Sequence, residues 1–314
     1  MISRRLLRIK VLQIFYAHLF SNAKFDIELA NKILDKSILE YHKLYFLLLD
    51  LMLELHKFSE QKLEIEKSKF FSDEKKREPF ERIVNNPILK IFSNSKTLSQ
   101  YKANYKINWD GHSSFLKELF LDFQETKVFK SLIDQEQNFK SDKKFLIKFY
   151  TDFIHLYAPI YVELEAMSIY WNDDIEFTLN MAEKTIKGIN ETTSEIDFFP
   201  MYKNDEDKQF AHNLLEKTIL EQEEREKQMI PFLKNWDLQR VFILDLYIVQ
   251  LAITEFLHFP TIPVKVTINE YIDISKAYGT PKSWAFINGI LDKIETDFKE
   301  KNIIHKTGRG LVEK

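Results

Sequence analysis

The chain has 314 residues, among them 27 Phe and 13 Tyr but only 6 Gly and 8 Pro, a composition that suits long helices with short connections and argues against a turn-rich β architecture. Cysteine is absent, which excludes disulfides, thiolate metal sites and a Cys nucleophile. A net charge of −3 excludes a polycation, so any affinity for nucleic acid has to come from a local patch.

Residues 1–20 read as one helix, because Leu6, Ile9, Leu12, Gln13 and Tyr16 recur at three- and four-residue steps while Leu7, Val11 and Ile14 widen the apolar stripe. Arg4, Arg5, Arg8, Lys10 and Lys24 all precede the first acidic residue, Asp26. No small-residue cleavage site follows Phe20, and the richest apolar stretch, Leu44 to Leu55, is broken by Asp50 and Glu54. The expectation is a cytoplasmic protein with no membrane contact.

A second helix is expected from Phe25 and a third from Tyr41 to Lys67, apolar at first and charged at its end. Residues 72–114 are punctuated by Pro79, Pro87 and Gly111 and predict an irregular connection carrying small helices. Helical spacing returns from Ser114. Residues 207–227 are strongly charged, and Pro231 interrupts before Trp236 opens a helix that is apolar nearly all round, from Leu238 to Leu257. Such a helix is central and buried. Pro260 and Pro263 end it. Ile268, Tyr271, Ile272 and Ser275 then favour a helix over a strand, with Gly279 as its C-terminal cap. Thr280 and Pro281 open the last helix, whose Ile287, Ile290, Leu291 and Ile294 share a face. Residues 301–314 are expected to be a disordered basic tail.

Gly111 is the first glycine, so no Gly-rich phosphate loop or dinucleotide fingerprint precedes it, and no such spacing follows. The histidines are dispersed, leaving a metal site unsupported, and Asp173 with Asp174 reads as acidic residues at a helix start. No catalytic constellation and no cofactor are expected. What remains is the basic amino terminus. Arginines at a helix N-terminus oppose the helix dipole and cost stability unless an anion binds, and Gln13 and Tyr16 are residue types that hydrogen-bond and stack on an unpaired base. Solvated surface charge is the alternative.

Two segments carry a family resemblance. At the amino terminus Arg4, Arg5, Arg8, Gln13 and Tyr16 stand at matching steps. Within residues 235–294 the chain has Trp236-Asp237-Leu238-Gln239-Arg240, then Pro263-Val264-Lys265-Val266-Thr267-Ile268-Asn269-Glu270, then Phe286-Ile287-Asn288-Gly289-Ile290-Leu291-Asp292-Lys293. In these it resembles the NusB family of transcription antitermination factors.

The resemblance implies an all-α fold of NusB-like helical bundles, and a non-enzymatic role at the boxA element of nascent ribosomal RNA. The implied partners are boxA-type single-stranded RNA, the small-subunit ribosomal protein NusE and the RNA polymerase antitermination complex. It implies RNA contacts at Arg4, Arg5, Arg8, Tyr16 and Phe286, and a contact to NusE at Asp245. Lys282 stands near the same face, where relatives often carry an acidic residue. For Asp245 the residues alone leave two readings open, an exposed carboxylate or an ion pair with Arg240 or Lys265. The resemblance implies a family whose ordinary members are less than half this length. The expected organisation is therefore a basic helix at 1–23, a mostly helical inserted expansion at 24–200, a NusB-like helical domain at 201–300 and the tail at 301–314. A helical protein-interaction scaffold in ribosome biogenesis is the first alternative. Part of an RNA methyltransferase system is the second, and the chain lacks the glycine-rich βαβ domain that such chemistry needs.

Overall fold

The computed structural model describes residues 2–21, 26–70, 74–134, 136–234 and 241–311. Among these, all regular structure is helical. In chain order the helices are α1 (Arg4–Phe20), α2 (Ile27–Ser68), α3 (Glu74–Val84), α4 (Pro87–Asn94), α5 (Lys96–Tyr105), α6 (Ser113–Glu125), α7 (Lys127–Lys130) and α8 (Phe139–Lys148). They continue as α9 (Ala158–Met167), α10 (Ile175–Gly188), α11 (Asp205–Leu220), α12 (Gln222–Met229), α13 (Ile243–His258), α14 (Val264–Tyr278) and α15 (Ser283–Glu300). The expected all-α class holds. The chain forms two compact units, residues 1–38 with 200–314 and residues 39–199, so the division falls inside α2.

In the first unit α1 begins where Ser3 accepts a hydrogen bond from the Leu6 N–H, which satisfies one of the donors a helix start leaves open. It packs on α11, α13 and α14, joining the two ends of the chain. At the centre is α13, whose Ile248, Val249, Leu251, Ala252, Ile253 and Phe256 are all sealed from solvent. The helix expected to run on from Trp236 opens later, at Ile243, because Phe242 before it has extended backbone; Trp236 and Arg240 lie outside the described residues. α14 is helical, as its spacing predicts. Gly279 ends it, and a Cβ there would stand 2.4 Å from the Ser283 Cβ, so the tight passage into α15 requires glycine.

The carboxyl-terminal segment differs from the disordered tail that composition suggests. Pro260 and Pro263 stop the chain from continuing α13, which leaves carbonyls at its end without helical partners. The tail supplies donors there: Lys306 Nζ donates to the Phe259 carbonyl at 2.9 Å and the Thr307 N–H to the Pro260 carbonyl at 2.9 Å. Gly310 is buried so close to Pro260 that a Cβ would lie 1.9 Å from the carbonyl oxygen.

The two helices expected at 25 and 41 are one, since nothing in α2 between Ile27 and Ser68 breaks the ladder, and the second unit takes α2 from Leu39 onward. Its buried Asp50 is reached by Lys102 of α5. Phe123, Phe129, Phe145, Phe149 and Phe153 form an aromatic core. The Tyr150 hydroxyl donates to the Leu48 carbonyl at 2.6 Å. α8 runs without interruption into a π-helical turn at Phe149–Phe153 and a 3₁₀ turn at Ile154–Leu156, and α9 follows after the non-helical Tyr157.

Candidate nucleic-acid interface

The structure separates the residues expected to share an RNA surface. Arg4 and Arg5 begin α1, and Tyr16 lies roughly 18 Å further along its axis at about 1.5 Å per residue.

At the arginine end the anions that the helix dipole calls for come from the fold itself. Arg4 Nε donates to Asp207 of α11 at 2.7 Å. Arg5 makes two hydrogen bonds to Glu270 of α14, at 3.0 and 3.1 Å, and an ion pair with Asp273 at 2.8 Å. Both guanidinium groups stay partly exposed. Arg8 does not. It is sealed from solvent and grips Glu255 of α13 with two hydrogen bonds of 2.7 Å, while Thr267 and Tyr271 of α14 donate to the same carboxylate at 2.7 and 3.3 Å. Burial pulls the Arg8 pKa down, but the charge and hydrogen bonds of Glu255 outweigh it and leave the group more firmly protonated than usual. The expectation that Arg8 faces RNA is thereby corrected. A fork-to-fork pair in the core satisfies both charges and leaves no donor for a phosphate.

Phe286 requires the same correction, since it is buried on the core face of α15 beside Ile287 and Ile290. Gln13 is half-buried and already has an interaction partner. Asp245 is 3% exposed, not open to a cationic partner, and its Oδ2 accepts a hydrogen bond from Ser283 Oγ at 2.6 Å. Of the two ion-pair partners considered for it, Lys265 has no such contact and Arg240 lies outside the described residues. Burial raises the Asp245 pKa, and the Ser283 hydrogen bond partly offsets the rise.

What stays open is an aromatic face at the other end of α1. Tyr16 is 39% exposed, Phe20 57% and Trp284 49%. The Tyr16 and Phe20 rings stack at 4.5 Å, and Tyr247 of α13 meets them edge-on at 6.1 and 6.5 Å. The Asp245–Ser283 hydrogen bond ties the first turn of α13 to the first turn of α15, which brings Phe242, Ile243, Trp284 and Lys282 to the same end of the bundle. Lys282 is exposed. Sequence reading passed over Phe20 and Trp284. The signal for Phe20 was its place one turn after Tyr16, where helical side chains stack; for Trp284 it was a large aromatic at the solvent side of a helix start. Chemically, such a face offers flat π surfaces for unpaired bases with a cation beside them.

The NusB family model matches residues 174–296, which takes in α10 to α14 and most of α15. The match thus begins inside the region expected to be an expansion. A transcription antitermination protein NusB of Salinibacter ruber is 32% identical over 135 residues, covering 43% of this chain and 84% of the relative. The chain belongs to the NusB family. Proteins of the same name from Chloroherpeton thalassium and a Geobacter species are 39% and 32% identical, over 34% and 44% of this chain and 50% and 94% of their own lengths. No solved structure matches. The family is thus one of transcription antitermination proteins, and most of residues 39–199 in this NusB-family member precede the matched segment. Among the described residues no helix is long and apolar enough to cross a membrane, and no group of His, Asp and Glu is placed to hold a metal ion.

Proposed function

We propose that this NusB-family protein is a non-catalytic cytoplasmic antitermination factor. It binds boxA-type single-stranded RNA of ribosomal transcripts together with NusE, within an RNA polymerase antitermination complex. The observation that carries this reading is the set of exposed aromatics Tyr16, Phe20 and Trp284 at one end of the bundle, with the half-buried Tyr247 against the first two and Lys282 beside the start of α15. Solvent-exposed aromatics in contact with one another lose apolar burial, a cost that unpaired bases stacking on them would recover. Lys282 supplies the phosphate contact, and Arg4 and Arg5, already neutralised by carboxylates, contribute weakly at the far end of α1.

Asp245 enters the proposal as a positioning residue. Through Ser283 it sets the start of α15 and hence the orientation of Lys282 and Trp284, so it influences the RNA and NusE surface without touching either. The reading is tested by titrating the full chain with fluorescently labelled boxA-type RNA, alone and with NusE. Saturable binding that NusE strengthens and Tyr16→Ala weakens supports it, and binding indifferent to Tyr16→Ala rejects it.

A further inference from the structure

In the second unit, α9 is apolar on nearly every side: Ala158, Pro159, Ile160, Tyr161, Val162, Leu164, Ala166 and Met167 are interrupted only by Glu163 and Glu165. A helix of that kind belongs in a core or against a partner. Yet only Ile160 and Leu164 are buried. Val162 is 68% exposed, and the residues flanking the helix, Leu156 and Ile169, are 78% and 81% exposed. An open groove of about 580 Å³ runs beside it, lined by Phe115 and Glu118 of α6 and by Ala158, Pro159, Val162 and Glu163. The π-helical turn at Phe149–Phe153, a feature that recurs at functional sites, lies just before this segment.

The carboxylates that line the groove are Glu118 and Glu163, and no Lys or Arg lines it. No Lys or Arg occurs from Phe149 to Glu183, a stretch that contains Asp152, Glu163, Glu165, Asp173 and Glu176. α6 adds Glu118 and Asp122 against a single Lys117. Glu163, which lines the groove, is held by His112 at 2.5 Å, and on α6 Asp122 accepts from the Tyr157 hydroxyl at 2.8 Å. Nucleic acid and anionic membranes are repelled by such a rim. A second copy of the chain docking through the same face would bring like charges together.

We propose that this face docks a cationic polypeptide segment, one that seats an apolar or aromatic side chain against Val162 and places Lys or Arg over Glu118, Glu163 and Glu165. Apolar anchors ringed by complementary charge are the pattern by which a groove takes up an amphipathic segment. The surface belongs to the second unit and does not depend on the RNA reading.

The test uses the full chain, immobilised and challenged with a display library of random peptides. Enriched peptides are then titrated against wild type, Val162→Glu and Glu165→Lys. Both positions are exposed, and circular dichroism checks that each variant folds. The expected result is that enriched peptides are net positive with an apolar or aromatic anchor, and that each substitution weakens them by about tenfold or more. Enrichment of neutral or acidic peptides, no enrichment, or equal binding to the variants overturns the proposal. Labelled single-stranded RNA is titrated alongside. A loss of RNA affinity in Val162→Glu would assign the face to nucleic acid and overturn it equally.

Discussion

Arg8 of α1 and Glu255 of α13 form a two-pronged ion pair at 2.7 Å, buried in the centre of the first unit and joining residues 247 positions apart. This pair determines how the amino-terminal arginines are to be understood. Of the three, only Arg4 and Arg5 keep solvent contact, and the cluster that looks like a phosphate site in sequence is in space a set of clamps holding α1 to α11, α13 and α14.

Removing one partner of a buried pair leaves the other charge uncompensated, which costs about 3–5 kcal/mol. Arg8→Ala is therefore expected to lower unfolding free energy by roughly that amount in urea titrations. Arg8→Met combined with Glu255→Leu is expected to lose far less than the sum of the single changes. Where Arg8→Ala remains folded, the salt dependence of RNA binding should match wild type, because no phosphate contact has gone.

For Asp245 the sign follows from its raised pKa. The folded state binds the proton more tightly than the unfolded chain, so stability is highest when the carboxyl is protonated and declines as pH rises from the usual carboxylate value through the folded one. Asp245→Asn, which keeps an acceptor for Ser283, is expected to remove that decline and to be at least as stable as wild type at neutral pH. Asp245→Lys places an ammonium where the carboxylate is 3% exposed and should destabilise clearly. Urea titrations at acidic and neutral pH read both.

Lys306 titrates in the opposite sense. Burial lowers its pKa to about 8, against the pull of Glu255. The unfolded chain therefore holds the proton more tightly, and stability should rise between about pH 8 and the ordinary lysine value near 10.4. Lys306→Met should abolish that rise. Gly310→Ala should release the tail at every pH, seen as faster amide exchange at Thr307 and at position 310.

The regular structure was legible in the sequence because it rests on local periodicity: α1, the central helix ending before Pro260, and α14 with its Gly279 stop. The continuity of α2 was not: separate helices are expected from Phe25 and Tyr41, yet no Gly or Pro stands between them to stop the ladder. The site was legible in part. Tyr16 and Lys282 are exposed, but the burial of Arg8 depends on Glu255 and that of Asp245 on Ser283, partners far away in sequence that no local pattern announces. The docked tail was foreshadowed by the carbonyls that the prolines leave open at the end of α13, a demand that composition alone does not reveal.

On the aromatic face, Phe20→Ala and Trp284→Ala are each expected to weaken RNA by about 1–3 kcal/mol with little change in salt dependence. Lys282→Ala should instead reduce the slope of log affinity against log salt by about 0.7. Anisotropy titrations over a salt series separate the two classes.

The most direct measurement is a titration of labelled boxA-type RNA against wild type, Tyr16→Ala with Trp284→Ala, and Arg4→Ala with Arg5→Ala, across a salt series in the presence of NusE. Loss of most of the affinity in the aromatic variant, with a near-normal salt slope and only a modest effect of the arginine variant, is the result expected of an RNA face built on stacking. If the aromatic variant binds as wild type does and the arginine variant loses affinity and slope, the RNA lies at the other end of α1 and the proposed face is wrong.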